Sequence, residues 1–295
     1  MKPRLIPKVL IAAPTSERHS HILDEWIAHL NSLTYLNFDV CLVDNTLKTD
    51  RYFQKLKTVK VKDKPIITWR HEWDTTDWNH LQMLSHVREE IREYFLENNY
   101  DYLFFLDDDI FIPEKGIQTL LSYNKEQVGF YVHVFYEPDT RPCLIKSGEV
   151  IMGKGLDYFS FEEVDAYKKF AKAYKNNKLT KKEKLLVPHI IKDPLNPNLF
   201  KTYAVNLGCL LIKKEVLEKC KFRTHDTFIW GEDLWYYAEA NEKRFEFWVD
   251  TNVRAVHKNT DWEIIKESPK QMGFSVMYGP SDSTNFDLVK TEKQK

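Results

Sequence analysis

Residues 100–109 have the sequence YDYLFFLDDD, a run of apolar and aromatic side chains directly before three aspartates. A short apolar run bounded by polar residues predicts a buried strand, here Tyr100–Leu106. Side chains two positions apart lie on one side of a strand, so we expect Asp107 and Asp109 to converge while Asp108 points away. Neighbouring carboxylates repel each other unless a cation neutralises them, and Mg²⁺ or Mn²⁺ suits oxygen ligands. The alternative is that the acids only end the strand and cap the next helix.

The region before this run alternates strand and helix patterns. The apolar segment Lys8–Ala13 predicts a strand. Ser16 is a capping residue, and apolar side chains recur at helical spacing over residues 22–33, which predicts a helix. A second strand is expected at Phe38–Val43. Strand, helix and strand in this order form a βαβ unit, and such a unit implies a parallel sheet.

Three of the predicted strands end in polar residues, at Pro14-Thr15, Asp44-Asn45 and Asp107–Asp109. Ligands of open parallel sheets bind outside the carboxyl ends of the strands, so we expect these ends to form one site. The other predicted elements are strands at Lys64–Trp69, Val128–Tyr136, Tyr203–Ile212, Phe245–Val249 and Val253–His257, and helices at Trp78–Asn98, from Pro113, from Lys214 and at Gly231–Asn241.

Two further signals lie in the C-terminal half of the chain. Glu232 and Asp233 begin a predicted helix, where acids are common because the helix dipole favours anions. His257 ends a predicted strand, where an isolated histidine is more often structural than a ligand. These signals point to chemistry only in combination with the three aspartates.

Composition excludes several classes of protein. The chain of 295 residues has nine glycines, the first of them Gly116, so its N-terminal part contains neither a P-loop nor a GxGxxG fingerprint. A net charge of −1 gives no support for nucleic-acid binding. Four scattered cysteines predict reduced thiols rather than a disulfide scaffold. Since no apolar run is long enough to span a bilayer, we expect a cytoplasmic protein with at most peripheral membrane contact.

Residues 147–200 differ from the rest of the chain in being rich in lysine. Ser160 with Glu163, and Thr180 with Glu183, match the capping-box pattern, so we expect a basic helical insertion here. One interpretation is a solvated helical hairpin. The other is a wall or lid over the acceptor, or a contact with an anionic membrane surface.

Three segments together resemble a family: FLDDDIFIP from residue 105, VNLGCLLIKKEVLEKCKF from residue 205 and WGEDLWYYAEANEKRFEFWVDTNVRAVHKN from residue 230. In this order they are similar to nucleotide-sugar-dependent, metal-dependent glycosyltransferases of the GT-A fold that carry a DxD motif. The resemblance implies an α/β fold, a Rossmann-like three-layer αβα sandwich with a mostly parallel central sheet and a helical insertion. It covers residues 8–136 and 203–258 and implies one catalytic domain over 1–260, with a nucleotide-binding half at 8–136 and an acceptor and metal half at 203–258. The basic insertion at 147–200 lies between them, and we expect an extension at 261–295 whose end is disordered.

The resemblance also implies a set of site residues. The metal ligands would be Asp107, Asp109 and His257, with Mn²⁺ favoured over Mg²⁺ because one ligand is an imidazole. Arg88 would reach the pyrophosphate or the sugar, and Gly208 would leave room for the donor sugar. The implied nucleotide- and donor-binding residues are Pro14, Thr15, Asp44, Arg88, Asp107, Asp108, Asn206 and Gly208.

The implied activity is transfer of a sugar from a UDP- or GDP-sugar to a hydroxyl group of a glycan, lipid or small molecule. For an inverting enzyme Asp233 would be the general base, with Glu232 and Trp230 binding the acceptor. A retaining enzyme would need no base there. Two alternatives use the same residues: a metal-dependent phosphoesterase or nuclease, and a non-catalytic protein that binds sugar nucleotides or glycans.

Overall fold

The computed structural model describes residues 6–47, 49–72, 80–136, 139–142, 144–147, 157–158, 163, 193, 195–196, 198–223, 232–258, 274–275 and 289–290. Its strands are β1 Val9–Thr15, β2 Phe38–Asp44, β3 Lys60–Val61, β4 Lys64–Pro65, β5 Ile67–Arg70, β6 Tyr102–Leu106, β7 Ile110–Phe111, β8 Gln127–Tyr136, β9 Asp139–Pro142, β10 Leu144–Ser147, β11 Asp157–Tyr158, β12 Leu199–Thr202, β13 Ala204–Val205, β14 Cys209–Lys213, β15 Phe247–His257, β16 Phe274–Ser275 and β17 Val289–Lys290. Its helices are α1 Leu23–Ser32, α2 Arg51–Leu56, α3 His80–Glu97, α4 Gly116–Ser122, α5 Lys214–Leu217 and α6 Glu232–Glu242, and a 3₁₀ turn covers Glu17–His19.

A mixed central sheet organises these elements, with the strand order β12-β15-β8-β14-β6-β1-β2-β5. Strands β6, β1, β2 and β5 run parallel to one another, and β8 is parallel to β15. Strand β14 lies antiparallel between β6 and β8, and β12 is an antiparallel edge strand. The predicted α/β class with a mostly parallel sheet is confirmed.

Helices cover both faces of this sheet and create two cores. Alternate residues of β1 supply both, with Leu10 and Ala12 on one face and Val9, Ile11 and Ala13 on the other. Helices α3, α5 and α6 bury their apolar sides in the first core, and α1, α2 and α4 do so in the second. Each fully buried aliphatic or aromatic side chain contributes about 1.5–3 kcal/mol relative to exposure. The result is a three-layer sandwich in which both faces of the sheet are dry.

The structure differs from the sequence prediction at element boundaries. Ser16 does not cap a long helix: it precedes the 3₁₀ turn, makes no side-chain capping bond, and α1 begins only at Leu23. The predicted strand Tyr203–Ile212 is split into β13 and β14. The two strands predicted at 245–249 and 253–257 form the single strand β15, whose register against β8 shifts between Asp250 and Arg254.

Most of the predicted basic insertion at 147–200 lies outside the described residues, as do Trp230 and Gly231. In the C-terminal extension, β16 pairs with β17, and the rest of 259–295 is outside the described residues. The domain boundaries therefore stay a prediction. None of the helices in the described part of the chain is long and apolar enough to cross a membrane.

Candidate functional site

The carboxyl ends of β1, β2 and β6 meet at one pocket of about 350 Å³. This is the edge of the sheet at which open α/β folds bind ligands. Four basic side chains and three carboxylates lie around it. The lining residues are Pro14, Thr15, Ser16, Arg18, His19, Asn45, Leu84, Arg88, Asp107, Asp108, Asp109 and His257.

The end of β15 places His257 against Asp109. His257 pairs with Ile110 in the short antiparallel ladder of β7 and β15, and the Lys258 amide donates to the Asp109 carbonyl at 2.7 Å. The His257 Nε2 atom then lies 3.1 Å from Asp109 Oδ2, with both side chains mostly buried. An imidazole nitrogen and a carboxylate oxygen at this separation fit a divalent cation that takes its other ligands from phosphate and water.

Asp107 forms an ion pair with Arg88. The Arg88 guanidinium, on α3, lies 3.1 Å from Asp107 Oδ1 and packs over the Phe105 ring at 4.8 Å. Among the described residues, no group of three or more His, Cys, Asp or Glu side chains is arranged to hold a metal. The expected set of three ligands is thus not assembled: the structure brings together Asp109 and His257, while Asp107 forms an ion pair.

Position 208 has room only for glycine, because a side chain there would collide with Asp107. The Asp107 amide donates to the Gly208 carbonyl at 2.9 Å, at the point where β14 begins beside the end of β6. A Cβ atom at position 208 would lie 2.1 Å from Asp107 Oδ2 and 2.5 Å from its Cγ. The space that we expected the donor sugar to use beside this glycine is therefore occupied by the Asp107 carboxylate.

Asp108 points into the protein, as its position between the other two acids predicts. Its Oδ2 accepts a hydrogen bond from Thr15 Oγ1 at 2.5 Å, and its Oδ1 lies 2.5 Å from His19 Nδ1. The Thr15 hydroxyl also lies 2.8 Å from the Tyr52 hydroxyl. Both carboxylate oxygens of Asp108 are engaged, so this residue fastens the ends of β1 and β6 together; its predicted contact with the nucleotide stays a prediction.

His19 faces all three aspartates. Burial disfavours the charged imidazolium, but the hydrogen bond to Asp108 and the negative charges of Asp108, Asp109 and Asp107 outweigh burial and raise the pKa of His19 to about 9. The three carboxylates therefore favour the protonated form of this imidazole.

Asp44 is completely buried at the end of β2. Its Oδ1 accepts hydrogen bonds from the amide and the hydroxyl of Thr46, at 2.9 and 2.6 Å. Its Oδ2 is also buried and has no hydrogen-bond partner among the described residues. Burial raises the pKa of Asp44, opposed by the bonds from Thr46 and by the charge of Arg70. The neighbouring Asn45 lines the pocket, whereas Asp44 lies behind it.

Asn206 presents a second buried acceptor, on the turn between β13 and β14. Its Oδ1 has no hydrogen-bond partner in the described part of the chain. Buried carbonyl oxygens without partners are costly, and an N–H or O–H group of a ligand would relieve that cost.

Asp233 lies at the start of α6, within electrostatic reach of Arg88 and Asp107. Burial raises its pKa, the Leu234 amide and the Arg88 charge oppose this, and the Asp107 charge adds to it. The positive charge of Arg88 thus interacts both with Asp107 and with Asp233. The backbone of Glu232 begins α6, but its side chain and all of Trp230 lie outside the described residues.

Asn45 lines the pocket as the end of one of the strands expected to form the site, whereas sequence reasoning missed Arg18 and His19. The signal for these two residues was their position within four residues of the carboxyl end of β1. The expectation of a helix capped by Ser16 hid it, because a helix starting there would have carried residues 18 and 19 away from the sheet edge.

Comparison with known proteins supports the fold assignment. No family model and no curated protein matches the chain. Among solved structures, the chain is similar to the crystal structure of GalNAc-T7 with UDP, GalNAc and Mn²⁺, with a TM-score of 0.55 and 13% sequence identity over 86% of this chain. The fold is that of a GT-A glycosyltransferase. The match covers 44% of the GalNAc-T7 chain, so it spans less than half the length of that protein.

Proposed function

We propose that this protein is a metal-dependent glycosyltransferase that moves a sugar from a nucleotide diphosphate sugar to a hydroxyl acceptor. One observation carries the proposal: Asp109 and His257, 148 positions apart in the chain, meet 3.1 Å apart in a pocket at the ligand-binding edge of a GT-A fold. The UDP, GalNAc and Mn²⁺ in the GalNAc-T7 structure support a nucleotide sugar and a divalent ion as the ligand classes.

The nucleoside would bind where β1 and β2 end. Pro14 and Thr15 line the pocket there, and Asp44 lies buried behind Asn45, so the proposed contact of its Oδ2 with a base N–H of UDP or GDP requires that oxygen to become exposed. The unsatisfied Oδ1 of Asn206 is an acceptor for a sugar hydroxyl of the donor. Each such bond removes the cost of a buried, unpaired oxygen, so binding gains more than an exposed hydrogen bond would give.

Asp109 and His257 would hold the divalent ion, which when bound supplies positive charge to the departing diphosphate. Arg88 contributes a second positive charge beside Asp107. In the proposed inverting reaction, the oxygen of the acceptor hydroxyl attacks the anomeric carbon, and Asp233 takes the proton of that hydroxyl. A pKa raised by burial makes Asp233 a stronger base than an exposed carboxylate, and the nearby Arg88 favours its ionised form. Glu232 and Trp230 are proposed to bind the acceptor.

A panel of UDP-, GDP- and dTDP-sugars, each with and without Mn²⁺, tests this proposal by thermal unfolding. We expect one nucleotide class to raise the melting temperature in a metal-dependent way. If no nucleotide does so, the proposal fails. Hydrolysis of simple phosphate esters that persists in Asp44→Ala would instead identify a phosphoesterase, because that reaction does not require base recognition.

A further inference from the structure

His19 occupies a place in the pocket that the proposed reaction leaves without a role. It ends the 3₁₀ turn that follows β1, and its ring lines the pocket together with Arg18 and Arg88. About a third of the side chain is exposed, so the ring is open to a ligand on one side and packed on the other.

The orientation of the ring is fixed by a buried partner. His19 Nδ1 lies 2.5 Å from Asp108 Oδ1, and the Asp108 carboxylate is itself held by Thr15 and is 1% exposed. A ring nitrogen whose opposite nitrogen is fixed on a carboxylate has a defined direction and a defined proton. The free edge of the ring, at Nε2, is the one left for a ligand.

With Nδ1 engaged by Asp108, Nε2 is the ring nitrogen that remains for a ligand of the pocket. In the protonated ring both nitrogens carry a hydrogen. Nε2–H is therefore a hydrogen-bond donor aimed at the pocket.

We propose that His19 donates this hydrogen bond to a diphosphate oxygen of the donor and stabilises the leaving group. The inference rests on the proposed glycosyl transfer. As the bond between the anomeric carbon and the phosphate oxygen breaks, its electron pair passes to the diphosphate, and the acceptor oxygen forms the new bond to carbon. Asp233 receives the acceptor proton. His19 keeps its own proton and binds the diphosphate more strongly as negative charge grows on it.

The competing interpretation is that His19 only neutralises the buried charge of Asp108. A purely structural histidine would affect all ligands alike, through the stability of the pocket. A phosphate-binding histidine affects only ligands that carry the diphosphate. The comparison of a nucleoside with its diphosphate therefore separates the two.

The experiment measures dissociation constants by calorimetry in Mn²⁺ for inorganic diphosphate and for UDP, GDP and dTDP with their matching nucleosides. The variants are wild type, His19→Gln and His21→Gln. His21 is the matched control because it is two residues away, exposed, bonded through Nδ1 to the Arg18 carbonyl at 2.9 Å, and not part of the pocket. We expect His19→Gln to weaken the diphosphate-bearing ligands about tenfold and nucleosides by less than about twofold, since bonds to charged groups are the strong ones. We expect His21→Gln to match wild type.

Each outcome decides between the claims. Equal weakening of nucleoside and diphosphate, or no weakening, overturns the role of His19 while leaving glycosyl transfer standing. If no nucleotide binds wild type but inorganic diphosphate binds in a His19-dependent way, the site stands and the nucleotide-sugar donor fails. If neither binds, both fail. If His19→Gln does not fold, the ¹⁵N resonance of Nε2 in the wild-type protein is measured instead. The His19 signal must then shift on addition of inorganic diphosphate, while the His21 signal does not. An unshifted His19 signal overturns the proposal.

Discussion

Replacement of Gly208 by alanine separates the binding function of Asp107 from the stability of the fold. The new Cβ atom would lie 2.1 Å from Asp107 Oδ2, far inside van der Waals contact. The carboxylate can yield, because it ends a flexible side chain that is 31% exposed. It must then leave Arg88, with which it forms an ion pair at 3.1 Å.

The expected cost to stability is small and the cost to binding is large. Overpacking costs about 1–3 kcal/mol, and a side chain that swings outward places Gly208→Ala near the lower limit. For a protein of this size that corresponds to a fall of about 2–4 °C in melting temperature. We propose that Asp107 contacts the metal or the donor, as the family resemblance implies; its displacement then loses a charged contact worth about 1.5–3 kcal/mol, so the affinity for a nucleoside diphosphate with Mn²⁺ falls about 10- to 150-fold.

Gly129→Ala is the matched comparison. Its Cβ atom would lie 2.4 Å from the Cys209 carbonyl oxygen, a backbone atom of the neighbouring strand β14. Because backbone cannot swing aside, the expected cost is about 3 kcal/mol, or a fall of about 6–12 °C. Calorimetric titration and thermal unfolding of both variants test this. Wild-type affinity in Gly208→Ala, or a loss of stability equal to that of Gly129→Ala, would refute the reasoning.

Three other predictions concern charged groups in and near the pocket. Asp109→Asn and His257→Gln should each abolish the rise in melting temperature caused by Mn²⁺, because each removes one of two converging ligands. Asp233→Asn should bind the donor normally but lose transfer by about 10²–10⁴-fold, measured as nucleoside diphosphate released with acceptor present. Finally, His19 holds its proton more tightly in the folded protein, with a pKa of about 9 against 6.5, so its stabilising effect is complete below about pH 6.5 and is lost as the pH rises through about 9. Chemical denaturation across this range, with a chelator present, should show that decline in wild type and not in His19→Gln.

Specific results would contradict these predictions. A full Mn²⁺ response in Asp109→Asn would remove that residue from the metal site. Transfer that persists in Asp233→Asn would show that no base is needed there, as in a retaining reaction. Identical pH slopes in wild type and His19→Gln would mean that the imidazole gains no proton affinity from Asp108.

Patterns local to the sequence predicted the strands and the edge at which they meet. The apolar run before Asp107 and the βαβ pattern around β1 and β2 involve residues that are close together in the sequence. These local patterns predicted where the pocket lies. The register shift in β15 could not be predicted from the sequence, because it depends on how that strand pairs with β8 rather than on its own residues.

The parts of the site that the sequence could not show depend on contacts between distant segments. Gly208 lies beside Asp107 only because β14 pairs antiparallel with β6, aligning Cys209 with Leu106. The ion pair of Arg88 with Asp107 likewise requires α3 to pack above that strand end. Spacing gave no reason to expect that an arginine would hold one of the predicted metal ligands.

The pairing of Asp109 with His257 has a consequence for synthesis of the chain. Strands β1, β2 and β6 leave the ribosome long before β15, so a nascent chain carries its acidic strand end without the histidine that completes it. Contacts of such long sequence separation form late in folding, after loop closure has been paid for. At the proposed metal site, affinity for a divalent ion would therefore report that β15 has docked against β7.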